Sequence, residues 1–453
     1  MQLISPIDNI FLLGESREHP MHVGGLQLFV PPDGAGPEFV RDVYDAMLSC
    51  TDVQPTFRKH PAFLGGITNV AWTVDKDVEL DYHLRRSALP SPGKVRDLLE
   101  LTSRLHGNLL DRHRPLWETH LIEGLDDGRY ALYCKMHHAL IDGVSAQRLM
   151  QRALTNDPDD DELRVPWQLK SRRHRDPAPI QSTLQTLTRT AGSVAALGPS
   201  TLSLARAALV EQQLTLPFRA PKTMFNVRIS GARRAAAQSW SLERFKRVKA
   251  AAGGVTVNDV VLAMCSGALR AYLIDQSGLP ETPLVAMVPV SLRTEKDTDG
   301  GGNMVGTILC NLATHLDDPA QRLAAIHSSM SDNKTVFSQL PQMQQFALSA
   351  CLTGGIAFSL VPGFVAAAPP PFNIVISNVP GPREPMYFKG ARLDGNYPLS
   401  IALDGQALNI TLTNNADHLD FGLVGCRRSV PHLQRLLGHL EDSLKDTERA
   451  VGV

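Results

Sequence analysis

Apolar positions along this chain follow two rhythms. Short apolar runs closed off by turn formers predict strands over residues 70–78 and 130–136 and, further on, over 284–290, 304–313, 373–377, 407–413 and 419–424. Helical spacing marks 39–49, 96–108 and 144–154 instead. Another helix opens behind Thr256, where Val260, Val261, Met264, Ala268, Leu269, Tyr272 and Leu273 recur on one helical period, and Thr256 with Asp259 forms a capping-box-like pair. The polar stretch Asn414-Asn415-Ala416-Asp417 predicts a hairpin between the last two strands. Strands and helices mix in both halves, so the expected class is α/β with mixed (α+β) sheets.

The rhythm breaks after Asn156. Residues 157–162 are acidic, 170–175 basic, Pro166, Pro177 and Pro179 punctuate, and a helix-like stretch over 180–214 precedes Pro217 and Pro221. This predicts a crossover linker over 157–221 between a first domain, 1–156, and a second, 222–453. A chain of 453 residues with 43% hydrophobic and 20% charged residues is globular in composition and long for a single core, which also argues for two domains. The uncharged segment 346–372 is interrupted by Gly354, Gly355, Pro362, Gly363 and Pro369-Pro370-Pro371. Its unbroken part is shorter than the roughly 20 residues of a membrane span, so it predicts a buried helix and loop or an apolar wall for lipid.

Charge and cysteines narrow the partners. A net charge of -1 leaves no electrostatic footprint for nucleic acid. The six cysteines are scattered without a CxxC pair, which suggests neither zinc nor a disulfide framework and fits a reducing cytosol. Residues 1–15 lack a basic n-region and a small-residue cleavage site, so the expectation is a cytoplasmic protein.

The chemistry concentrates at Met136-His137-His138-Ala139-Leu140-Ile141-Asp142-Gly143, where the strand over 130–136 gives way to a turn and the helix over 144–154. Side chains alternate across a strand, so His137 and His138 cannot both enter one cleft: one orients or packs, and the other reacts. A neutral imidazole there accepts a hydroxyl proton and returns it to a leaving group. Gly143 offers backbone freedom after Asp142, and Asp142 either caps the helix or pairs with a distant arginine. On spacing alone, catalysis stands beside a structural role and beside two histidine ligands of a metal. A metal site calls for further ligands in a recognisable pattern, and the sequence offers none.

HHxxxDG at His137 to Gly143 resembles the active-site motif of the CoA-dependent acyltransferase superfamily. Further motifs are similar to those of the bacterial wax ester synthase/diacylglycerol acyltransferase (WS/DGAT) family. These are Ser5-Pro6-Ile7-Asp8 with Phe11, Pro20-Met21-His22-Val23-Gly24, Asp81-Tyr82-His83, Pro115-Leu116-Trp117-Glu118, Asn258-Asp259, Pro289-Val290-Ser291-Leu292-Arg293 and Ser377-Asn378-Val379-Pro380-Gly381-Pro382. Ile7, where the family often has leucine, is a conservative departure. The resemblance runs from about Ser5 to Gly425.

The resemblance implies two chloramphenicol-acetyltransferase-like domains with an active-site tunnel between them. The implied activity is transfer of a long-chain fatty acyl group from acyl-CoA to a long-chain alcohol, a diacylglycerol, or both. His138 is the implied base, His137 a buttress of the strand end, and Asp142 a structural aspartate for which Arg293 is the candidate partner. Asn258 braces its helix or donates to an oxyanion; Ser377 and Asn378 are alternative donors or turn formers. No permanently bound cofactor is implied, since acyl-CoA is a co-substrate whose phosphates would meet basic residues such as Arg233, Arg234 or Lys296. Peripheral association with a membrane or lipid inclusion fits such substrates. The competing readings are a non-catalytic lipid-surface protein of the same fold and a condensation-type enzyme acting on carrier-bound substrates.

Overall fold

The computed structural model describes residues 2–64, 67–170, 215, 217–291, 305–339 and 364–453. In chain order the described strands are β1 (Gln2–Leu3), β2 (His22–Val30), β3 (Lys59–Leu64), β4 (Ile67–Val74), β5 (Leu84–Ala88), β6 (Trp117–Glu123), β7 (Tyr130–His137), β8 (Arg233–Ser241), β9 (Val285–Ser291), β10 (Val305–Asn311), β11 (Ile374–Val379), β12 (Tyr387–Phe388), β13 (Ala391–Leu399), β14 (Leu408–Asn415) and β15 (His418–Cys426). The helices are α1 (Pro6–Gly14), α2 (Phe39–Leu48), α3 (Leu80–His83), α4 (Val95–Gly107), α5 (Gly143–Arg152), α6 (Leu242–Ala252), α7 (Val257–Asp275), α8 (Pro319–Gln339), α9 (Phe364–Ala367) and α10 (Arg435–Val451). The helix-like stretch expected over 180–214 lies outside the described residues, as does most of 346–372.

Two six-stranded sheets carry the architecture, with a small sheet β1-β4-β3 beside the first. The first large sheet runs β12-β13-β2-β7-β6-β5 and the second β10-β9-β11-β14-β15-β8. Both mix parallel and antiparallel pairs, as with β5 parallel to β6 and β7 antiparallel to it. The hairpin at Asn414 to Asp417 forms with Asn415 opposite His418, and Ala416 takes a positive φ of 50° in the two-residue loop. Helix α7 starts at the expected capping box, Thr256 and Asp259 each bonding the other's backbone. By length and composition α7 is apolar enough to cross a membrane, but it packs against α6, α8 and α10 and shares the apolar core of the second sheet as a core helix.

Strands β12 and β13, from the second half of the chain, complete the first sheet by pairing β13 with β2, from Arg392 opposite Val30 to Leu399 opposite Gly24. The main apolar core likewise joins Leu98, Leu99 and Tyr133 of the first half to Val260, Ile376 and Leu440 of the second.

Candidate active site

Strand β7 sits in the middle of the first sheet, between β2 and β6. Tyr130, Leu132, Cys134 and Met136 point into one apolar core with Val23, Trp117 and Leu149. Tyr133, Lys135 and His137 point to the opposite face and form a buried polar column. Tyr133 Oη lies 2.8 Å from His106 Nδ1, and His106 Nε2 lies 3.2 Å from the Ser400 carbonyl oxygen, so the carbonyl takes a proton from Nε2 and Tyr133 donates to Nδ1. Burial drives the His106 pKa down to about 3, which keeps this ring neutral.

Lys135 Nζ is fully buried and donates to the carbonyls of Leu105 and Asn108, each at 3.1 Å, with a Glu118 carboxylate oxygen 3.3 Å away. Burial pushes the Glu118 carboxyl up, but the His120 contact, Lys135 and Arg85 outweigh it and hold the pKa at about 2. Burial lowers the pKa of Lys135 in turn.

His137 ends the strand at 0% exposure. Its Nδ1 accepts the Ala139 amide at 3.0 Å, so the ring proton is on Nε2, 3.3 Å from Glu15 Oε1. That contact is within ion-pair range but not aligned as a hydrogen bond. His138 follows in the turn, half-buried, with its amide bonded to the Met21 carbonyl at 2.8 Å. Its ring stacks on Phe11, with centroids 4.1 Å apart and planes 18° apart. The two histidines thus face different surroundings.

Asp142 is the N-cap of α5: Oδ1 accepts the Ser145 amide and Oδ2 the Ser145 hydroxyl, both at 2.9 Å. The pairing proposed for Arg293 lies outside the described residues. Gly143 is the first helical residue, and a Cβ there would meet only Val23 Cγ1 at 3.8 Å. The freedom of glycine expected at this position is therefore not what the turn uses. Trp117, in the Pro115-Leu116-Trp117-Glu118 motif, lies in the core, its indole donating to the Phe57 carbonyl at 2.9 Å and stacking on His83 and Trp167.

The other sequence candidates sit on the second sheet and α7. Asp259 accepts from Thr256 and lies 2.9 Å from His327 Nδ1, while the half-buried Asn258 makes no side-chain hydrogen bond among the described residues. Ser377 and Asn378 are neighbours on β11 and face opposite ways: Asn378 shares the side of Ile374 and Ile376, Ser377 that of Val375. No hydrogen bond or ion pair joins these residues to the histidine turn among the described residues.

Arg233 corrects the expectation that it serves CoA phosphates. It is buried, and its guanidinium donates to the carbonyls of Ser230, Glu18 (2.6 Å) and Ala402 (3.2 Å), so it bridges the halves instead. Arg234 lies 3.5 Å from Glu100, and Lys296 is outside the described residues. Among the described residues no three histidine, cysteine or carboxylate side chains gather as metal ligands would.

Two mixed sheets, the first completed by strands from the second half of the chain, with a histidine pair where a central strand turns into a capped helix, define the two-lobed acyltransferase fold. The first condensation domain of the CDA synthetase has the same fold, with a TM-score of 0.57 at 17% identity, covering 99% of this chain and 96% of that one. A wax ester synthase/diacylglycerol acyltransferase from Marinobacter aquaeolei VT8 matches over 100% of both chains with a TM-score of 0.81 and 40% identity. Residues 4–261 match the model of the wax ester synthase/diacylglycerol acyltransferase catalytic domain, and 301–448 that of the WS/DGAT C-terminal domain. The chain belongs to this family of O-acyltransferases. Among its relatives are a Mycobacterium tuberculosis protein named probable diacylglycerol O-acyltransferase tgs2, 67% identical over 100% of both chains. Another is the O-acyltransferase WSD of Acinetobacter baylyi, 42% identical over 98% of this chain and 96% of its own.

Sequence reasoning passed over Glu15, which faces His137, and Arg112, which holds Glu15. Arg112 Nε donates to Glu15 Oε2 at 2.9 Å across 97 positions of sequence, so no local pattern joins them.

Proposed function

We propose that this enzyme moves a long-chain fatty acyl group from acyl-CoA to the hydroxyl of a long-chain alcohol, a diacylglycerol, or both, with His138 as general base. The observation that carries the assignment is the contrast within the pair. His137 is sealed, with both ring nitrogens facing fixed partners, whereas His138 is only half-buried. In the step proposed, His138 removes the acceptor's hydroxyl proton and the oxygen attacks the thioester carbonyl. The tetrahedral intermediate then expels the CoA sulfur, which takes the proton back from the imidazolium. Asn258, Ser377 and Asn378 are the candidate donors to the oxyanion. The names of a diacylglycerol O-acyltransferase and of a wax ester synthase/diacylglycerol acyltransferase among the similar proteins support both acceptor classes. A cytoplasmic protein peripheral to the inner membrane or to lipid inclusions is the matching location; the exposed Ile10 and Leu13 on α1, the helix that carries Phe11, support it.

The test is thiol release from palmitoyl-CoA with hexadecanol or a diacylglycerol as acceptor, in wild type and His138→Ala. Loss of a general base lowers kcat by about 10²–10⁴-fold, with the melting temperature maintained. Undiminished turnover by His138→Ala would overturn the assignment. A folded wild type that releases no thiol with any acceptor would favour the non-catalytic reading.

A further inference from the structure

We infer that Glu15, held by Arg112, is a positioning residue for the histidine pair and sets the orientation of His138 through His137 and Met21. The inference rests on the reading of His138 as base and adds to it a residue outside the HHxxxDG motif.

The geometry converges on one carboxylate. Glu15 has 2% of its side chain exposed, and Arg112 grips Oε2 through both Nε and Nη2 at 2.9 Å. Its other oxygen accepts the Met21 amide at 3.2 Å and faces the protonated Nε2 of His137 at 3.3 Å. The Met21 carbonyl in turn receives the His138 amide at 2.8 Å, so the residue whose N–H is held by Glu15 holds His138 with its C=O. Arg112 Nη2 also donates to the Leu12 carbonyl at 2.6 Å, next to the Phe11 ring that covers His138. Among the described residues, the end of α1, the approach to β2 and the end of β7 each touch His138 or precede it in the chain, and each is tied to Glu15 or its arginine.

The charge state suits the task. Burial raises the Glu15 pKa, but the His137 contact, Arg112 and the Met21 amide outweigh burial and leave the carboxyl below its usual range, hence ionised. An anion opposite Nε2 favours the tautomer with the proton there. The lone pair then falls on Nδ1, where it accepts the Ala139 amide and closes the turn that presents His138. Glutamine at position 15 fills the same space, yet its neutral amide neither balances Arg112 nor selects that tautomer.

The test compares Glu15→Gln, His137→Gln and the double variant in the thiol-release assay, with Arg112→Lys as a second route should Glu15→Gln not fold. We expect kcat to fall about ten- to hundred-fold in Glu15→Gln, the scale of a small misplacement of a reacting group, with KM for palmitoyl-CoA nearly unchanged. The double variant should lose less than the product of the two single losses, because the two residues share the contact between Glu15 and His137. Arg112→Lys should lower kcat in the same way but less. ¹⁵N spectra of histidine-labelled protein should show His137 as the Nε2–H tautomer in wild type and as a mixture in Glu15→Gln. A folded Glu15→Gln with wild-type kcat, a multiplicative loss in the double variant, or an unchanged tautomer would each overturn the inference. The reading beneath it fails separately, if His138→Ala remains active.

Discussion

Glu118→Gln probes the polar column under the histidine strand. The substitution keeps the shape of the side chain and removes the charge 3.3 Å from the fully buried Lys135 ammonium. Lys135 would keep two carbonyl acceptors at 3.1 Å but lose its counter-ion. Two unit charges at that separation attract by about 5 kcal/mol at an effective dielectric constant of about 20, and breaking a buried pair from one side typically costs about 3–5 kcal/mol. Linkage gives a similar figure. A carboxyl moved from 4.5 to about 2 corresponds to about 3 kcal/mol, at about 1.4 kcal/mol per pH unit. Because the folded pKa is depressed, that stability is present above pH 4.5 and lost as pH falls toward about 2. The assay is urea unfolding followed by tryptophan fluorescence, for which Trp117 and Trp167, stacked in the neighbouring core, are reporters. Glu118→Gln should lose about 3–5 kcal/mol near neutral pH, and the acid-side slope of stability should flatten. Adding Lys135→Met should recover much of the loss, because the stranded charge goes with it. A single-variant loss under about 1 kcal/mol, or a double variant less stable than Glu118→Gln, would refute the reasoning.

Two further outcomes follow from contacts between the sheets. Burial raises the pKa of Asp420 to about 6, although the Asn396 amide and the Asn415 side chain bond it. A raised carboxyl costs nothing below its unfolded value near 3.9 and removes stability as pH climbs through about 6. Asp420→Asn should therefore gain about 1–3 kcal/mol over wild type near pH 8 and little near pH 4, in paired thermal melts; a gain independent of pH would contradict this. Gly422 on β15 lies against β13, where a Cβ would overlap the Pro398 carbonyl oxygen, whereas a Cβ at Gly438 on α10 meets nothing within 4 Å. Gly422→Ala should lower stability by about 1–3 kcal/mol and Gly438→Ala should raise it by about 0.5–1 kcal/mol, so equal melting temperatures would contradict the packing described.

The sequence made legible what local periodicity encodes. The strands over 130–136, 284–290, 407–413 and 419–424 and the cap at Thr256 all form within a residue or two of expectation. Strand β8, Arg233–Ser241, escapes such reading because its alanines carry no strand bias, and β13 because Gly395 and Pro398 interrupt it. What makes β13 a strand is β2, whose register no local pattern encodes. The site divides along the same line. The motif His137 to Gly143 is contiguous and readable, but the carboxylate facing His137 comes from the end of α1, and its arginine from the approach to β6. Charges likewise mislead when burial is invisible, which is why Arg233 reads as a phosphate ligand and is found bonded to carbonyls.

Residues 15–21 give that division a mechanical consequence. On one side this short segment holds the histidine turn, through Glu15 and Met21. On the other it is fastened to the second half: the Glu18 carbonyl accepts from Arg233, His19 Nε2 lies 2.9 Å from Asp404, and a Cβ at Gly231 would collide with the Arg17 carbonyl. A connection seven residues long and bonded at both sides has little slack. Displacement of the second half against the first must then be taken up by these bonds or passed to Met21, and from there to the backbone of His138. Orientation of the proposed base is thus coupled to the seating of the two halves, through backbone and buried charge rather than through the motif itself.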